Sequence, residues 1–316
     1  MLTKLTYKGI LATIGNTPVV ELQNMSPKPE VRIFAKLEGH NPTGSVKDRI
    51  ALNMIEQAES DGEISSARTI LEPTSGNTGI SLAMIGHLKG YKVAVVMPKN
   101  VSIERTQLLQ AYGAEIIYSD GSRGTNGAIE VAKDLVEKNP DQYLMLYQYG
   151  SKANPGAHYE TTGQEIVDAV PEADMFVAGL GTGGTLMGVA RRLREHNPQI
   201  KIVAVAPEPD DSISGLRNLD EGFIPPILDI SLLDSRMLVS SLDAFWTTKE
   251  LLSMEGVFAG ISSGSVVYGA MRQAERMGRG TVVCLLADGG WKYLSTNLWT
   301  KDYKQLAKES KGKIWW

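Results

Sequence analysis

A single cysteine, Cys284, stands among the 316 residues, so no intramolecular disulfide can form. It falls inside the apolar run TVVCLLAD, where a free thiol behaves as a small buried hydrophobe rather than a nucleophile. Positive charge is not in excess either. The formal net charge is −4, and no basic stripe with interleaved aromatics offers a nucleic-acid surface. No apolar stretch approaches the ~18 residues that would cross a bilayer. The opening residues, MLTKLTYKGILATIGNTP, lack the long apolar core of a secretory signal. Histidine is scarce, at four positions (His40, His87, His158, His196). None lies at ligand spacing from the cysteine or another histidine, so no metal site is expected. These absences point to a cytoplasmic chain without nucleic-acid, membrane or metal chemistry.

What the chain does contain is alternation. Apolar, β-branched runs occur at VRIFAKLE (31–38), TILEP (69–73), YKVAVVMP (91–98), AEIIYS (114–119) and YLMLYQY (143–149). Others follow at MFVAGL (175–180), KIVAVAPEP (201–209) and TVVCLLAD (281–288). Helical periods of about 10 to 15 residues separate most of them, the pattern of crossover units in a parallel sheet. Gly90 is a natural stop for the helix GISLAMIGHLKG. The length exceeds one ordinary core. The expectation is α/β: two open, largely parallel-sheet lobes with a cleft between them. Ligands in such sheets bind at strand-to-helix turns. The segment 207–247 breaks the alternation with proline, glycine and acidic residues, either as a functional loop region or as a surface excursion.

Three of these turns carry chemistry. In NPTGSVKDR, Ser45 can cap a helix whose apolar positions are Ile50, Met54, Ile55 and Ala58. Lys47 then lies in the first turn, at the positive end of the helix dipole. It is either a solvated surface charge or an amine meant to be neutral and nucleophilic. In VAGLGTGGTLMGVARRL, backbone amides of Gly181, Thr182, Gly183, Gly184 and Thr185 can converge on a phosphate, with two threonine hydroxyls added. Glycine is needed there so that backbone can approach an anion closely. A rival reading exists, because Gly179, Gly181 and Gly184 also satisfy the G-x-G-x-x-G of a dinucleotide fold, with Glu208 ending the next strand. In EPTSGNTGISLA, Thr74, Ser75, Asn77 and Thr78 offer amides and hydroxyls to a small anion such as a carboxylate. GISSGS sets Ser262 and Ser263 before another helix, as caps if nothing more.

The ordered set GNTP (15–18), NPTGSVKDR, PTSGNTG, GLGTGGT, GISSGS and KYLST (292–296) spans nearly the whole chain. It resembles the cysteine synthase family of pyridoxal-phosphate enzymes, which have the tryptophan-synthase-β-like fold, fold type II. GLRNLDEGFIP and ADGGWKYLST look most like the actinobacterial O-phosphoserine sulfhydrylase branch. Many acetylserine-using relatives carry a serine-serine-glycine segment where this chain has ADGGWKYLST. The resemblance implies a large cofactor-phosphate lobe, residues 1–36 plus 151–316, and a small mobile lobe, 37–150. It implies that Lys47 forms a Schiff base with pyridoxal 5'-phosphate and acts as the general base. Residues 181–185 would hold the phosphate, Asn77 the ring hydroxyl, and Ser262 would face the pyridine nitrogen. Thr74, Ser75, Thr78 and Gln148 would bind the substrate carboxylate, and Arg217 a phosphate leaving group. The implied reaction is β-replacement on an O-activated serine, O-phosphoserine before O-acetylserine, to give L-cysteine. Free sulfide and a thiocarboxylated carrier protein are both open as sulfur donor. A homodimer is expected. The terminal Trp315 and Trp316 are expected to dock, either on a surface groove or the dimer partner or, as the resemblance allows, in the active-site cleft. The class-distinct alternative is a nucleotide-binding oxidoreductase.

Overall fold

The computed structural model describes residues 6–302 apart from residues 66 and 75. Ser75 and the Trp315–Trp316 tail therefore lie outside the described residues.

Two sheets form. The six-stranded sheet runs in the order β1 (Val19–Glu21), β2 (Val31–Leu37), β10 (Gly280–Leu286), β7 (Met175–Gly179), β8 (Lys201–Pro207) and β9 (Ser235–Val239). Every neighbouring pair is parallel except β1 with β2. The four-stranded sheet is parallel throughout, in the order β5 (Glu115–Ser119), β4 (Lys92–Pro98), β3 (Thr69–Pro73) and β6 (Tyr143–Met145).

The side-chain period of two sorts each central strand onto two faces. Val282, Cys284 and Leu286 pack with α9 (Ile261–Ala274) through Val266, Val267 and Ala270. The intervening Val283 and Leu285 pack with α7 (Gly184–His196) through Leu186, Val189 and Leu193. Helices on both faces explain why these strands read as unbroken apolar runs. Cys284 is fully buried and its thiol is pushed up to about 12 by that burial, so it is inert. In the smaller sheet, Ile70, Val93 and Val95 face α2 (Asn77–Lys89). Leu71, Ala94 and Val96 face α4 (Gly124–Lys138). Two shorter helices, α5 (Ala153–Ala157) and α6 (Gln164–Ala169), flank a π-turn at His158–Gly163, and α8 (Ser241–Glu255) packs on α9.

Local signals explain most boundaries. Gly90 closes α2 with φ +79°, as glycine does at this position. The helix α1 (Lys47–Ser60) starts one residue later than a Ser45 cap implies. Val46 takes the cap position, and the Ser45 hydroxyl accepts the Lys47 N–H at 3.3 Å. YLMLYQY is strand only to Met145. Tyr147 turns left-handed at φ +55°, and the two oxygens of the Glu72 carboxyl group accept the N–H groups of Tyr147 and Gln148 at 2.8 and 3.0 Å. The segment 207–247 is in part ordered structure, since it contains β9 and the start of α8.

The chain leaves β7 through the glycine turn to α7, winds outward to β8 and β9, and returns by α9 to β10 on the other side of β7. The switch in winding lies between β7 and β10, where open α/β sheets place ligands.

Candidate active site

A cavity of about 440 Å³ opens at that switch point. Gly179, Gly181, Thr182, Gly183 and Thr185 line it after β7, Ala287 and Asp288 after β10, and Ser262 at the start of α9. From the smaller sheet's side come Lys47, Thr74, Asn77, Thr78 and Gln148. Arg217 closes the circle from the loop after β8. Of the described residues to which the resemblance gives a site role, only Gly184 is absent from the lining; Ser75 is not described.

Lys47 is the first residue of α1, and the loop ahead of it is held firmly. The Thr43 N–H donates to Asp48 at 2.7 Å, and the Ser81 hydroxyl donates to the same carboxylate at 2.5 Å. Desolvation lowers the Lys47 pKa, against the pull of the Asp288 and Glu38 carboxylates. The misplaced cation at a helix N-terminus is thus an amine biased toward its neutral form.

The glycine turn is shaped to receive an anion. Gly183 has φ +88°, and a Cβ at Gly184 would lie 1.8 Å from the Asn154 side-chain oxygen. A Cβ at Gly181 would lie 2.8 Å from the Gly215 carbonyl. Asn154 donates to the Thr182 hydroxyl at 3.0 Å, while its own Oδ1 is buried without a partner. Among the described residues the N–H groups of Gly181, Thr182 and Gly183 have no acceptor. Such amides at the start of α7 fit a phosphate. Below the turn, His158 Nε2 meets the Thr185 hydroxyl at 3.1 Å, and Nδ1 meets Thr162 at 2.9 Å. Burial lowers the His158 pKa far below its usual value, and Lys47 and Arg49 add to the effect. A neutral ring here orients Thr185 without adding charge.

The dinucleotide reading fails on geometry. Glu208, the residue that would bind a ribose, lines a separate groove with Arg236 and Tyr268 instead of the glycine turn.

The proposed carboxylate cradle is preassembled. The Thr78 hydroxyl donates to Gln148 Oε1 at 2.7 Å, Gln148 Nε2 donates to the Pro73 carbonyl at 3.2 Å, and Thr74 Oγ1 accepts the Gly76 N–H at 3.1 Å. Desolvation raises Glu72, which holds the Gln148 turn, to about 8.

Arg217 is 8% exposed. Surface pairing with Asp220 is not what occurs, because Asp220 pairs with Arg236 at 3.1 Å. Arg217 Nη1 donates to Asn126 Oδ1 at 2.7 Å, and the guanidinium lies 4.6 Å from the Phe223 ring and 5.5 Å from the Tyr149 ring. No described carboxylate pairs with it.

Several supporting contacts are not assigned by the sequence. Asn154 and His158, which no motif block singles out, support the glycine turn, and Asp288 and Lys292, which lie inside the ADGGWKYLST block without a role read for them, back Asn77. Their partners are far away in sequence, so no spacing rule could find them. Arg105 of α3 (Ile103–Ala111) is likewise buried at the cavity wall, held to Ser214 at 2.7 Å.

Residues 10–288 match the family described as pyridoxal-phosphate dependent enzyme. A cysteine synthase of Staphylococcus aureus is 45% identical over 303 residues, covering 93% of this chain and 97% of the relative. The crystal structure of a cysteine synthase from Entamoeba histolytica superposes with a TM-score of 0.88 at 36% identity, covering 98% of this chain and 97% of that one. An O-ureido-L-serine synthase superposes with a TM-score of 0.87 at 37% identity, covering 96% and 100% respectively.

Proposed function

The chain belongs to the family of pyridoxal-phosphate-dependent enzymes, and from that premise we propose that it is a cysteine synthase acting on O-phospho-L-serine in preference to O-acetyl-L-serine. The cofactor is pyridoxal 5'-phosphate. Its aldehyde and ring supply the electron sink for a negative charge at the substrate α-carbon.

The protein's part falls to named residues. Lys47 anchors the cofactor. The amides of 181–185 and the two threonine hydroxyls hold its phosphate, Asn77 its ring hydroxyl, and Ser262 faces the ring nitrogen. A neutral serine at that position moderates the electron sink and favours loss of a β-substituent over transamination. Thr74, Ser75, Thr78 and Gln148 receive the substrate carboxylate. With the cofactor bound, Lys47 Nζ would act as the base that takes the substrate's α-proton. The β-oxygen bond then breaks with its electron pair leaving on phosphate, a sulfur nucleophile adds at the β-carbon, and Lys47 returns the proton to the α-carbon. Residues 37–150 act as a mobile lobe that closes over the carboxylate and excludes water, against a larger lobe of 1–36 plus 151–316. Two copies of the chain form the working dimer.

One observation carries the choice of leaving group, the buried Arg217 guanidinium with an amide rather than a carboxylate as its partner. An acetate ester is neutral and needs no cation. A phosphate ester carries nearly two charges and fits a guanidinium in bidentate fashion. Similarity to relatives alone does not choose, since one of them is named for O-ureido-L-serine rather than cysteine. The test measures cysteine formation from both donors, with sulfide as nucleophile, in wild type and Arg217→Ala. The variant is expected to lose about ten- to a hundredfold with phosphoserine and to keep its acetylserine rate. Equal losses with both donors, or none with either, would remove Arg217 from the choice.

A further inference from the structure

Behind Asn77 lies a lysine with no surface exposure at all. Lys292 sits in the 3-10 turn Gly290–Thr296 that follows β10, fully buried. Its ammonium donates to Asn77 Oδ1 at 2.7 Å and to the Gly44 carbonyl at 3.3 Å. From the other side, Asn77 Nδ2 donates to Asp288 Oδ2 at 2.8 Å, and the Tyr293 hydroxyl donates to the same oxygen at 2.7 Å.

These bonds decide which end of the amide is which. An ammonium can only donate and an ionised carboxylate can only accept. Oδ1 must therefore face Lys292, and one of the two Nδ2 hydrogens must face Asp288. The second hydrogen is left for the cavity that Asn77 lines. A flipped amide would set donor against donor at Lys292 and acceptor against acceptor at Asp288, so the orientation is locked from both sides.

We propose that Lys292 is a positioning residue for the cofactor: it clamps the Asn77 amide with its free N–H turned toward the cofactor's ring hydroxyl, and its charge on Oδ1 strengthens that N–H as a donor. Hydrogen bonds in series polarise one another, and a charged partner at one end gives the largest effect. The bond to Gly44 gives Lys292 a second consequence, because it ties the loop that leads into Lys47 to the same amide. The charge state of Lys292 is set by its surroundings. Desolvation lowers its pKa to about 8, the carboxylates of Asp288 and Asp48 hold it up, and the cations Arg105 and Lys47 oppose them. In neutral solution it is predominantly the charged donor.

The proposal rests on the reading that Asn77 faces the ring hydroxyl, and a double-mutant cycle separates the two. Holoenzyme is compared for wild type, Lys292→Met, Asn77→Ala and the double variant. The readouts are the dissociation constant of pyridoxal phosphate and the pH dependence of the bound cofactor's visible absorbance. Lys292→Met is expected to weaken the cofactor about tenfold and shift its absorbance. In the Asn77→Ala background the same change is expected to alter affinity by less than about twofold. Lys292→Arg, which keeps a cationic donor, should retain most of the wild-type spectrum. An equal loss in both backgrounds would make Lys292 a structural support only and overturn the proposal, as would an unchanged spectrum and affinity in Lys292→Met. If Asn77→Ala alone leaves both readouts unaltered, the assignment of Asn77 fails first and the proposal falls with it. Should Lys292→Met not fold, Lys292→Gln removes the charge while keeping a donor and completes the same cycle.

Discussion

Arg217 and Asn126 are joined by a 2.7 Å hydrogen bond between residues 91 positions apart, one in the loop after β8 and the other on α4 of the smaller sheet's layer. Asn126 satisfies one N–H of the guanidinium without neutralising it. Asn126→Asp would supply the counter-ion that the site lacks. Phosphoserine turnover is expected to fall about tenfold as the new carboxylate competes with the substrate phosphate. Steady-state rates with phosphoserine and acetylserine check this, and acetylserine turnover should stay near wild type.

Gly184 tests the phosphate cradle. A Cβ there would meet Asn154 Oδ1 at 1.8 Å, and both are buried. Gly184→Ala must displace Asn154, which holds the Thr182 hydroxyl. The expected cost is ~1–3 kcal/mol of stability, with at least about tenfold weaker cofactor binding. Urea unfolding and equilibrium dialysis measure the two separately.

A buried ion cluster anchors the start of α1 to the larger sheet. Arg49 is bound to Glu38 at 2.7 Å and to Glu165 at 2.6 Å, and Lys36 also meets Glu165 at 2.6 Å. Here the GNTP segment finds its reason, since the Thr17 hydroxyl donates to Glu38 and the Asn16 N–H to Glu165. Burial alone would raise Glu165, but its bonds to Arg49 and Lys36 outweigh this and bring it down to about 2. A depressed carboxylate contributes stability above its unfolded pKa of 4.5, and that stability is lost as pH falls from 4.5 toward 2. Arg49→Met leaves Glu38 buried without its cation and is expected to cost ~3–5 kcal/mol. Thermal unfolding between pH 2 and pH 7 should show a lower midpoint for the variant and a flatter acid limb.

Glu72 works in the opposite sense. Its raised pKa of about 8 means that the folded state retains a proton that the unfolded state gives up. Its contribution is complete below pH 4.5 and is lost as pH rises toward 8. Glu72→Gln turns a donor toward the Tyr147 and Gln148 N–H groups, so weaker binding of the substrate carboxylate is expected, with KM rising more than kcat falls. A fall in kcat alone would place Glu72 outside carboxylate binding.

The most legible strands are the central ones buried on both faces, where β-branched residues run unbroken, as in Val282–Leu286; the edge strand β5, with its partly exposed Glu115–Ser119, is legible only by its short Ile116–Ile117 apolar core. The two that are not legible, β1 and β9, are short edge strands, β1 half-buried throughout and β9 mostly exposed, and nothing in their periodicity marks them. The turn residues of the candidate site are legible because glycine and hydroxyl residues cluster where backbone must meet an anion. Their supports are not. Lys292 reaches Asn77 across 215 residues and Asn154 reaches Thr182 across 28. Only the folded sheets bring these together.

Two lysines near the cavity have pKa values lowered by burial, Lys47 and Lys292, and the whole account depends on which one carries the cofactor. Borohydride reduction of the holoenzyme, followed by proteolysis and mass spectrometry, fixes the cofactor to its lysine. The expected result is one pyridoxyl group per chain on Lys47, none on Lys292, and no label in Lys47→Ala. A pyridoxyl group on Lys292, or no cofactor-derived label on any lysine, would contradict the central claim that the amine at the start of α1 is the reactive group of the site.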